Sequence, residues 1–172
     1  DPLYKVVGPG LWGYAKDTFK AAYEPLVKQP DVAAAKALVE QANATGATLT
    51  FAYPSGNPQQ VQLATVLQQA AAQIGITLEL VGVPNQQYGS LFVDPAAREP
   101  FDLFITLNYV ELPEPVLMNQ LYGATGGGTN FSGYSNPTVD AALDKASQTA
   151  DPAERAKLVL EAEAQLAVDL PS

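Results

Sequence analysis

Residues 48–81 read TLTFAYPSGNPQQVQLATVLQQAAAQIGITLELV, and they carry the strongest structural pattern in the chain. The stretch begins as a strand, because Leu49, Phe51 and Tyr53 alternate with Thr48, Thr50 and Ala52. Apolar residues then recur at helical spacing, and a second strand-like run closes the stretch at residues 76–81. A strand–helix–strand unit joins parallel strands through a right-handed crossover. The pattern therefore predicts an α/β fold.

The helix within this stretch has clear start and stop signals. Asn57 is a good N-cap, Pro58 suits the first helical position, and Gln60 follows the cap by three residues. Gly75 ends the helix. Upstream, Asp31 is a second N-cap, which predicts a helix to about residue 42.

Downstream, residues 84–93 predict a short helix and residues 101–107 a third strand. The apolar run at residues 103–105 favours a central strand, whereas the order second–first–third would place the strand at residues 48–53 in the centre. Asn136-Pro137 and Asp151-Pro152 start two further helices. The core face of the last helix is expected at Ala156, Val159, Ala162 and Leu166.

The first thirty residues differ in composition from the rest. They are rich in glycine, proline and aromatic residues, and we interpret residues 1–30 as an irregular arm that packs on a lobe formed by residues 31–172. Such an arm is expected to leave apolar surface exposed around Leu11, Trp12 and Tyr14 in this chain on its own.

Composition excludes several classes of function. The chain has 172 residues and a net charge of -9, which disfavours binding to nucleic acid. It has no cysteine and no histidine, so thiol chemistry, zinc–thiolate sites and histidine-based catalytic triads are ruled out within these residues. We expect no cofactor and no metal site.

Two other motifs have less specific interpretations. The loop at residues 123–128, GATGGG, lacks the lysine of a phosphate-binding P-loop and is more typical of a flexible connection. Glu111 and Glu114 are candidate carboxylates for a hydrolase or transferase, although two acids in one proline-rich segment rarely reach a catalytic spacing. Glu114 is expected to be solvated. A sensory module without transport is a third alternative.

Four segments, in order, resemble the solute-binding proteins of family 5, which serve ABC importers for dipeptides, oligopeptides and nickel. The segments are NFSGYSNPTVD at residues 130–140, LTFAYPSGNP at 49–58, LQQAAAQIGITLEL at 67–80, and DPAER at 151–155 leading to DLP at 169–171. The resemblance implies a type II periplasmic-binding-protein fold, with a small mixed sheet flanked by helices. This chain would be most of the second lobe of a larger two-lobed protein, a fragment that lacks the leader, since it opens with Asp1-Pro2.

The same resemblance implies a function of ligand capture without catalysis. The ligand would be a peptide, or alternatively an oligosaccharide or a metal complex. The partners would be the missing lobe and an ABC permease, with no nucleic acid. The protein would lie outside the cytoplasm, anchored by lipid through an N-terminal region absent here.

The resemblance also implies where the ligand binds. After the third strand the family usually has a Gly-Trp pair and then D-Y-P-D-P, whose first aspartate holds the α-amino group in peptide binders. Here Glu111 falls at that aspartate and Asn108 replaces the tryptophan. Since ligands of open α/β sheets bind beyond the carboxyl ends of the strands, the expected site residues are Asn108, Tyr109 and Glu111 with Tyr53 and Ser55.

Overall fold

The computed structural model describes residue 6, residues 8–106 and residues 113–170. The strands are β1 (Thr48–Pro54), β2 (Thr77–Val83) and β3 (Leu103–Phe104). The α-helices are α1 (Lys16–Tyr23), α2 (Val32–Gln41), α3 (Pro58–Gln73), α4 (Asn85–Tyr88), α5 (Ser90–Val93), α6 (Pro95–Arg98), α7 (Pro115–Gly123), α8 (Pro137–Gln148) and α9 (Pro152–Asp169). Short 3-10 turns lie at Pro9–Leu11, Gly13–Ala15 and Glu24–Leu26.

The chain folds as two compact units. The sheet unit is Gln29–Asn108, and the helical unit combines Asp1–Lys28 with Tyr109–Ser172. Among the described helices, α2–α6 belong to the sheet unit, and α1 and α7–α9 belong to the helical unit.

The sheet has the order β2-β1-β3, and its described strands are all parallel. β1 pairs with β2 from Thr48↔Thr77 to Pro54↔Val83, as the strand–helix–strand pattern predicts. β3 pairs with β1 through Leu103 and Phe104 only. The choice left open by the sequence is therefore decided in favour of a central β1. The antiparallel partner that a mixed sheet would require is not among the residues described.

Side chains of β1 alternate between two cores, because successive residues of a strand face opposite sides of the sheet. Phe51 packs with Leu78 and with Ala64 of α3 on one face. Ala52 packs with Tyr88 and Leu91 on the other face. The short helices α4–α6 therefore cover one side of the sheet and α3 covers the other.

The predicted helix starts are confirmed in the geometry of the caps. Asp31 Oδ1 accepts the Ala34 N–H at 2.8 Å, and Asn57 Oδ1 accepts the Gln59 N–H at 3.0 Å. Asp151 Oδ1 accepts the Glu154 N–H at 2.8 Å. Each such cap stabilises its helix by about 1 kcal/mol.

The helix predicted for residues 84–93 is instead the pair of single turns α4 and α5. The break comes at Gly89, which lies between them, and the chain then turns again at Asp94 to start α6. Glycine in a helix interior costs about 1 kcal/mol relative to alanine, which weakens a continuous helix here.

The helical unit buries part of the N-terminal segment in its core. Leu11 is 5% exposed and Trp12 is 8% exposed, so the expected exposure of apolar surface at these residues is wrong. Trp12 packs edge to face with Tyr23, with ring centroids 5.7 Å apart. Tyr14 is half-buried, and the Arg155 guanidinium lies 4.0 Å from its ring centroid. These contacts link residues far apart in the sequence, which local patterns do not predict.

The last helix matches its predicted core face. Ala156, Val159, Ala162 and Leu166 are all buried. Among the helices that the structure describes, none is long and apolar enough to cross a membrane.

Candidate functional site

A cleft opens in the sheet unit where β1 and β3 end. Its volume is about 210 Å³. The described residues that line it are Pro54, Asn57, Gln60, Asn85, Tyr88, Gly89, Phe92 and Ile105. Pro54 is the last residue of β1, and Ile105 directly follows β3. The cleft therefore lies beyond the carboxyl ends of parallel strands, where ligands of open α/β sheets bind.

Tyr88 makes hydrogen bonds with the backbone at the ends of β1 and β3, along the wall of this cleft. Its hydroxyl accepts the Ile105 N–H at 2.8 Å and lies 2.7 Å from the Ile105 carbonyl oxygen, which accepts its proton. The Ala52 carbonyl oxygen is a further acceptor at 3.2 Å. Burial raises the pKa of Tyr88 to about 12, and the bond with Ile105 opposes that shift. Tyr88 thus fixes the ends of β1 and β3 relative to each other.

Two asparagines shape the loops at the mouth of the cleft. Asn57 Oδ1 caps α3 by accepting the N–H groups of Gln59 and Gln60 at 3.0 Å and 3.4 Å. Asn85 Oδ1 accepts the Gly56 N–H at 3.2 Å, which ties the turn after β1 to the start of α4. The Nδ2 groups of both asparagines make no hydrogen bond with a described residue.

Gln60 is the unusual polar residue of the cleft. It is only 6% exposed, yet its side-chain amide makes no hydrogen bond with any residue that the structure describes. Its amide nitrogen and oxygen remain accessible from the cleft, where a ligand or water can bind them. The sequence shows Gln60 only as a helix-start residue, and its burial depends on long-range packing.

The structure places Tyr53 and Ser55 together, but beside Gly82 and outside the lining of the cleft. A Cβ atom at residue 82 would lie 3.2 Å from both Ser55 Cβ and Tyr53 Oη. The Ser55 N–H donates to the Val83 carbonyl oxygen at 2.9 Å. Strand alternation separates these two residues from Pro54, which does line the cleft.

The other predicted site residues are Asn108, Tyr109 and Glu111, and they lie outside the described residues. Their role as ligand contacts stays a prediction. Asn85, Tyr88 and Phe92 were not predicted, because they lie on two single-turn helices and nothing local marks a binding role. The sequence points to them only through a general rule: the turns that follow parallel strands lie at the same edge of the sheet, and ligands bind there.

A larger groove of about 790 Å³ lies elsewhere in the sheet unit. Its described lining is almost entirely apolar, with Leu49, Phe51, Leu67, Leu78 and Leu103 among its residues. Binding sites for small polar solutes need convergent polar groups that fix the ligand's orientation. The smaller cleft provides such groups, and we therefore take it as the candidate site.

Glu114 has a structural role in the helical unit. Its carboxylate caps α7 by accepting the Val116 N–H at 3.1 Å, and the residue is half-buried. The carboxylate that was expected to be solvated is thus partly exposed and also engaged by the helix N-terminus. Glu111, its proposed catalytic partner, lies outside the described residues.

The motif NFSGYSNPTVD forms a polar network that fastens the glycine-rich loop to α8 and α9. The Asn130 Nδ2 group donates to the carbonyl oxygens of Ala124 and Tyr134 at 2.9 Å and 2.7 Å. The Asp140 carboxylate accepts the Thr125 N–H at 2.8 Å. Because that N–H faces a carboxylate, the loop is a poor anion site. Hydrogen bonds from Tyr134 and its neighbours also hold the pKa of Asp169 below its usual range.

Among the residues described, no three His, Cys, Asp or Glu side chains lie close enough together to hold a metal ion.

Comparison with known sequences gives one family match. The sequence profile of the family described as "Bacterial extracellular solute-binding proteins, family 5 Middle" matches residues 1–130. Among curated proteins, no sequence matches this chain.

Solved structures show the same fold. The ABC transporter substrate binding protein CtaP from Listeria monocytogenes has a TM-score of 0.76 at 25% identity, over 98% of this chain and 33% of that chain. AppA from Clostridium difficile, described as a peptide binding protein, has a TM-score of 0.76 at 22% identity, over 99% of this chain and 33% of that chain. NikA from Staphylococcus aureus, in complex with Ni(L-His)2, has a TM-score of 0.69 at 18% identity, over 98% of this chain and 39% of that chain. This chain thus spans a third or slightly more of each of these proteins.

Proposed function

Because this chain belongs to family 5 of the bacterial extracellular solute-binding proteins, we propose that it supplies part of the binding site that captures a small polar solute for an ABC importer. The family is extracellular and binds solutes. To this family membership the proposal adds the class of solute, the protein partners and the residues that contact the solute. It places the chain in a two-lobed protein that delivers its ligand to a permease, and it includes a lipid anchor outside these residues.

The cleft beyond β1 and β3 carries this proposal. It combines the position expected for a ligand of an α/β sheet with the Gln60 side-chain amide, which is accessible from the cleft and has no hydrogen-bond partner among the described residues. The other described lining residues include the rings of Tyr88 and Phe92 and the apolar side chains of Pro54 and Ile105. Small-molecule sites typically have such a mostly apolar lining with a few fixed polar groups.

A peptide is the solute that we favour. AppA and CtaP support it, as a peptide binding protein and a transporter substrate binding protein with the same fold. Tyr53, Ser55, Asn108, Tyr109 and Glu111 remain proposed contacts, and the ligand ammonium proposed to face Glu111 is a different group from the one held in the cleft. A metal complex is the second candidate, because NikA has the same fold and was crystallised with Ni(L-His)2.

Mass spectrometry of the solute retained by the full-length protein tests this proposal. The protein is purified under native conditions, denatured, and its released small molecules are identified. We expect peptides of a few residues, and we expect Gln60→Met to reduce the retained amount at least tenfold. Gln62→Met is the matched control, because Gln62 is exposed on the same helix. Recovery of nickel with histidine would favour the second candidate, and no retained solute in any preparation would contradict the proposal.

We also propose that the protein has no hydrolytic activity. Its described residues offer no histidine or cysteine base, and Glu114 is engaged as a helix cap. Peptide and glycoside substrates incubated with the full-length protein should remain intact. Turnover that is lost in Glu111→Gln would support the hydrolase alternative.

A further inference from the structure

We propose that the cleft beyond β1 and β3 takes an uncharged hydrogen-bonding group of the solute, an amide or a hydroxyl, and discriminates against a carboxylate and an ammonium. This inference rests on the proposed function and specifies its chemistry. The observation behind it is that the described residues lining the cleft include amides, rings and apolar groups but no charged side chain.

A carboxylate would lack a cation among the described residues that line this cleft. The N-terminus of α3 does not replace one, because its first N–H groups are already used. Pro58 has none, Asn57 Oδ1 accepts those of Gln59 and Gln60, and the Asn57 carbonyl oxygen accepts that of Val61. Burying a charge without a partner is strongly unfavourable. The net charge of -9 disfavours anions further.

An ammonium would find too few acceptors. The Oδ1 atoms of Asn57 and Asn85 accept backbone N–H groups. The Tyr88 hydroxyl is engaged with Ile105. Gln60 Oε1 is left as the side-chain acceptor among the described lining, and an ammonium has three donors to satisfy.

An amide fits the groups that remain. The Gln60 side chain offers one NH₂ donor and one carbonyl acceptor, which complement the carbonyl and N–H of a ligand amide. The NH₂ groups of Asn57 and Asn85 are additional donors without a described partner. The volume of about 210 Å³ suits a side chain or a part of a sugar ring.

Three small probes of similar shape test this proposal: propionamide, propionate and propylammonium. Each is titrated into full-length protein labelled with ¹⁵N in its side-chain amides, and NMR follows the Gln60 signal, which Gln60→Met identifies by its loss. We expect propionamide to shift this signal at concentrations at least tenfold lower than either charged probe. Gln62→Met, a change at an exposed position, should leave the titration unaltered.

The outcomes separate this inference from the proposed function. Tighter binding of propionate or propylammonium would overturn the inference, and so would no shift from any probe. In either case a solute retained by the full-length protein would still uphold the proposed function. The titrations use the unmutated protein, so the result does not depend on how well Gln60→Met folds.

Discussion

At the scale of single residues, Tyr88 contributes more to the site than its short helix suggests. It is 5% exposed. Its hydroxyl accepts the Ile105 N–H and donates to the Ile105 carbonyl oxygen. Those two groups lie just past the last pair of β1 and β3, where the Ile105 N–H also donates to the Ala52 carbonyl oxygen of β1 at 3.3 Å. A side chain therefore completes the backbone hydrogen bonding at the edge of the cleft.

We predict that Tyr88→Phe lowers the free energy of unfolding by about 1–3 kcal/mol, because the partly buried Ile105 carbonyl oxygen loses its donor. Urea denaturation followed by circular dichroism measures the change. Tyr53→Phe is the matched control, since the Tyr53 hydroxyl makes no hydrogen bond with a described residue. Equal losses in the two variants would contradict a special role for Tyr88.

The same hydroxyl predicts an alkaline loss of stability. Burial raises the pKa of Tyr88 to about 12 from the ordinary value of 10.0, so the folded protein holds this proton more tightly than the unfolded chain. Its contribution to stability is complete below pH 10 and declines as the pH rises from 10 to 12. Melting temperatures across that range should fall less steeply in Tyr88→Phe. Burial also raises the pKa of Tyr134 to about 12, so part of the decline should persist. An unchanged slope in the variant would rule out Tyr88 as a cause.

At the scale of elements, two adjacent glycines of the loop after α7 differ in how much space their surroundings leave for a side chain. A Cβ atom at Gly127 would lie 2.3 Å from the Gln120 carbonyl oxygen and 2.6 Å from that of Leu121. A Cβ atom at Gly128 would make an ordinary contact of 3.7 Å with the Leu121 side chain. The loop therefore turns back closely on the end of α7, and sequence alone gives no reason to distinguish two adjacent glycines.

We predict that Gly127→Ala lowers the free energy of unfolding by about 1–3 kcal/mol through overpacking against backbone that cannot move aside. Gly128→Ala is the control, and it should change stability by less than about 0.5 kcal/mol. Thermal melts of both variants decide the question. A similar tolerance at both positions would mean that the loop is looser than the structure shows.

At the scale of the whole molecule, the chain spans a third or slightly more of the proteins that share its fold. A solute held near 1 μM by a complete protein has a binding free energy of about 8 kcal/mol. If this chain supplies about half of the contacts, its own affinity falls to the millimolar range. Loss of closure around the ligand weakens binding further.

We therefore predict that the 172-residue chain binds the solute of the full-length protein at least about 100-fold more weakly. Calorimetry on both proteins, with the solute identified by mass spectrometry, measures the ratio. A cooperative thermal melt of the shorter chain is the necessary control, because an unfolded sample would also fail to bind. Comparable affinities would show that a second lobe is not needed for capture.

The sequence by itself determined the order of strand, helix and strand at residues 48–83 and the starts of the long helices, although it did not predict α7. Helix caps at Asp31, Asn57 and Asp151 act within three residues, so their effect is visible in the sequence. The parallel pairing of β1 and β2 follows from the helix that joins them, since a crossover leaves little other choice. The four family segments also lie in the sequence itself, and the family assignment they suggested is confirmed.

Only the tertiary structure decided which side chains share the cleft. Gln60, Tyr88 and Ile105 come from a helix, a single helical turn and the end of an edge strand. Their meeting depends on how α3 and α4 pack on opposite faces of the sheet, which is a sum of many weak contacts at long sequence separation. The same applies to Trp12, which the sequence marked as exposed and the helical core buries. Local patterns specify backbone geometry, whereas burial and site composition depend on partners that the local sequence does not contain.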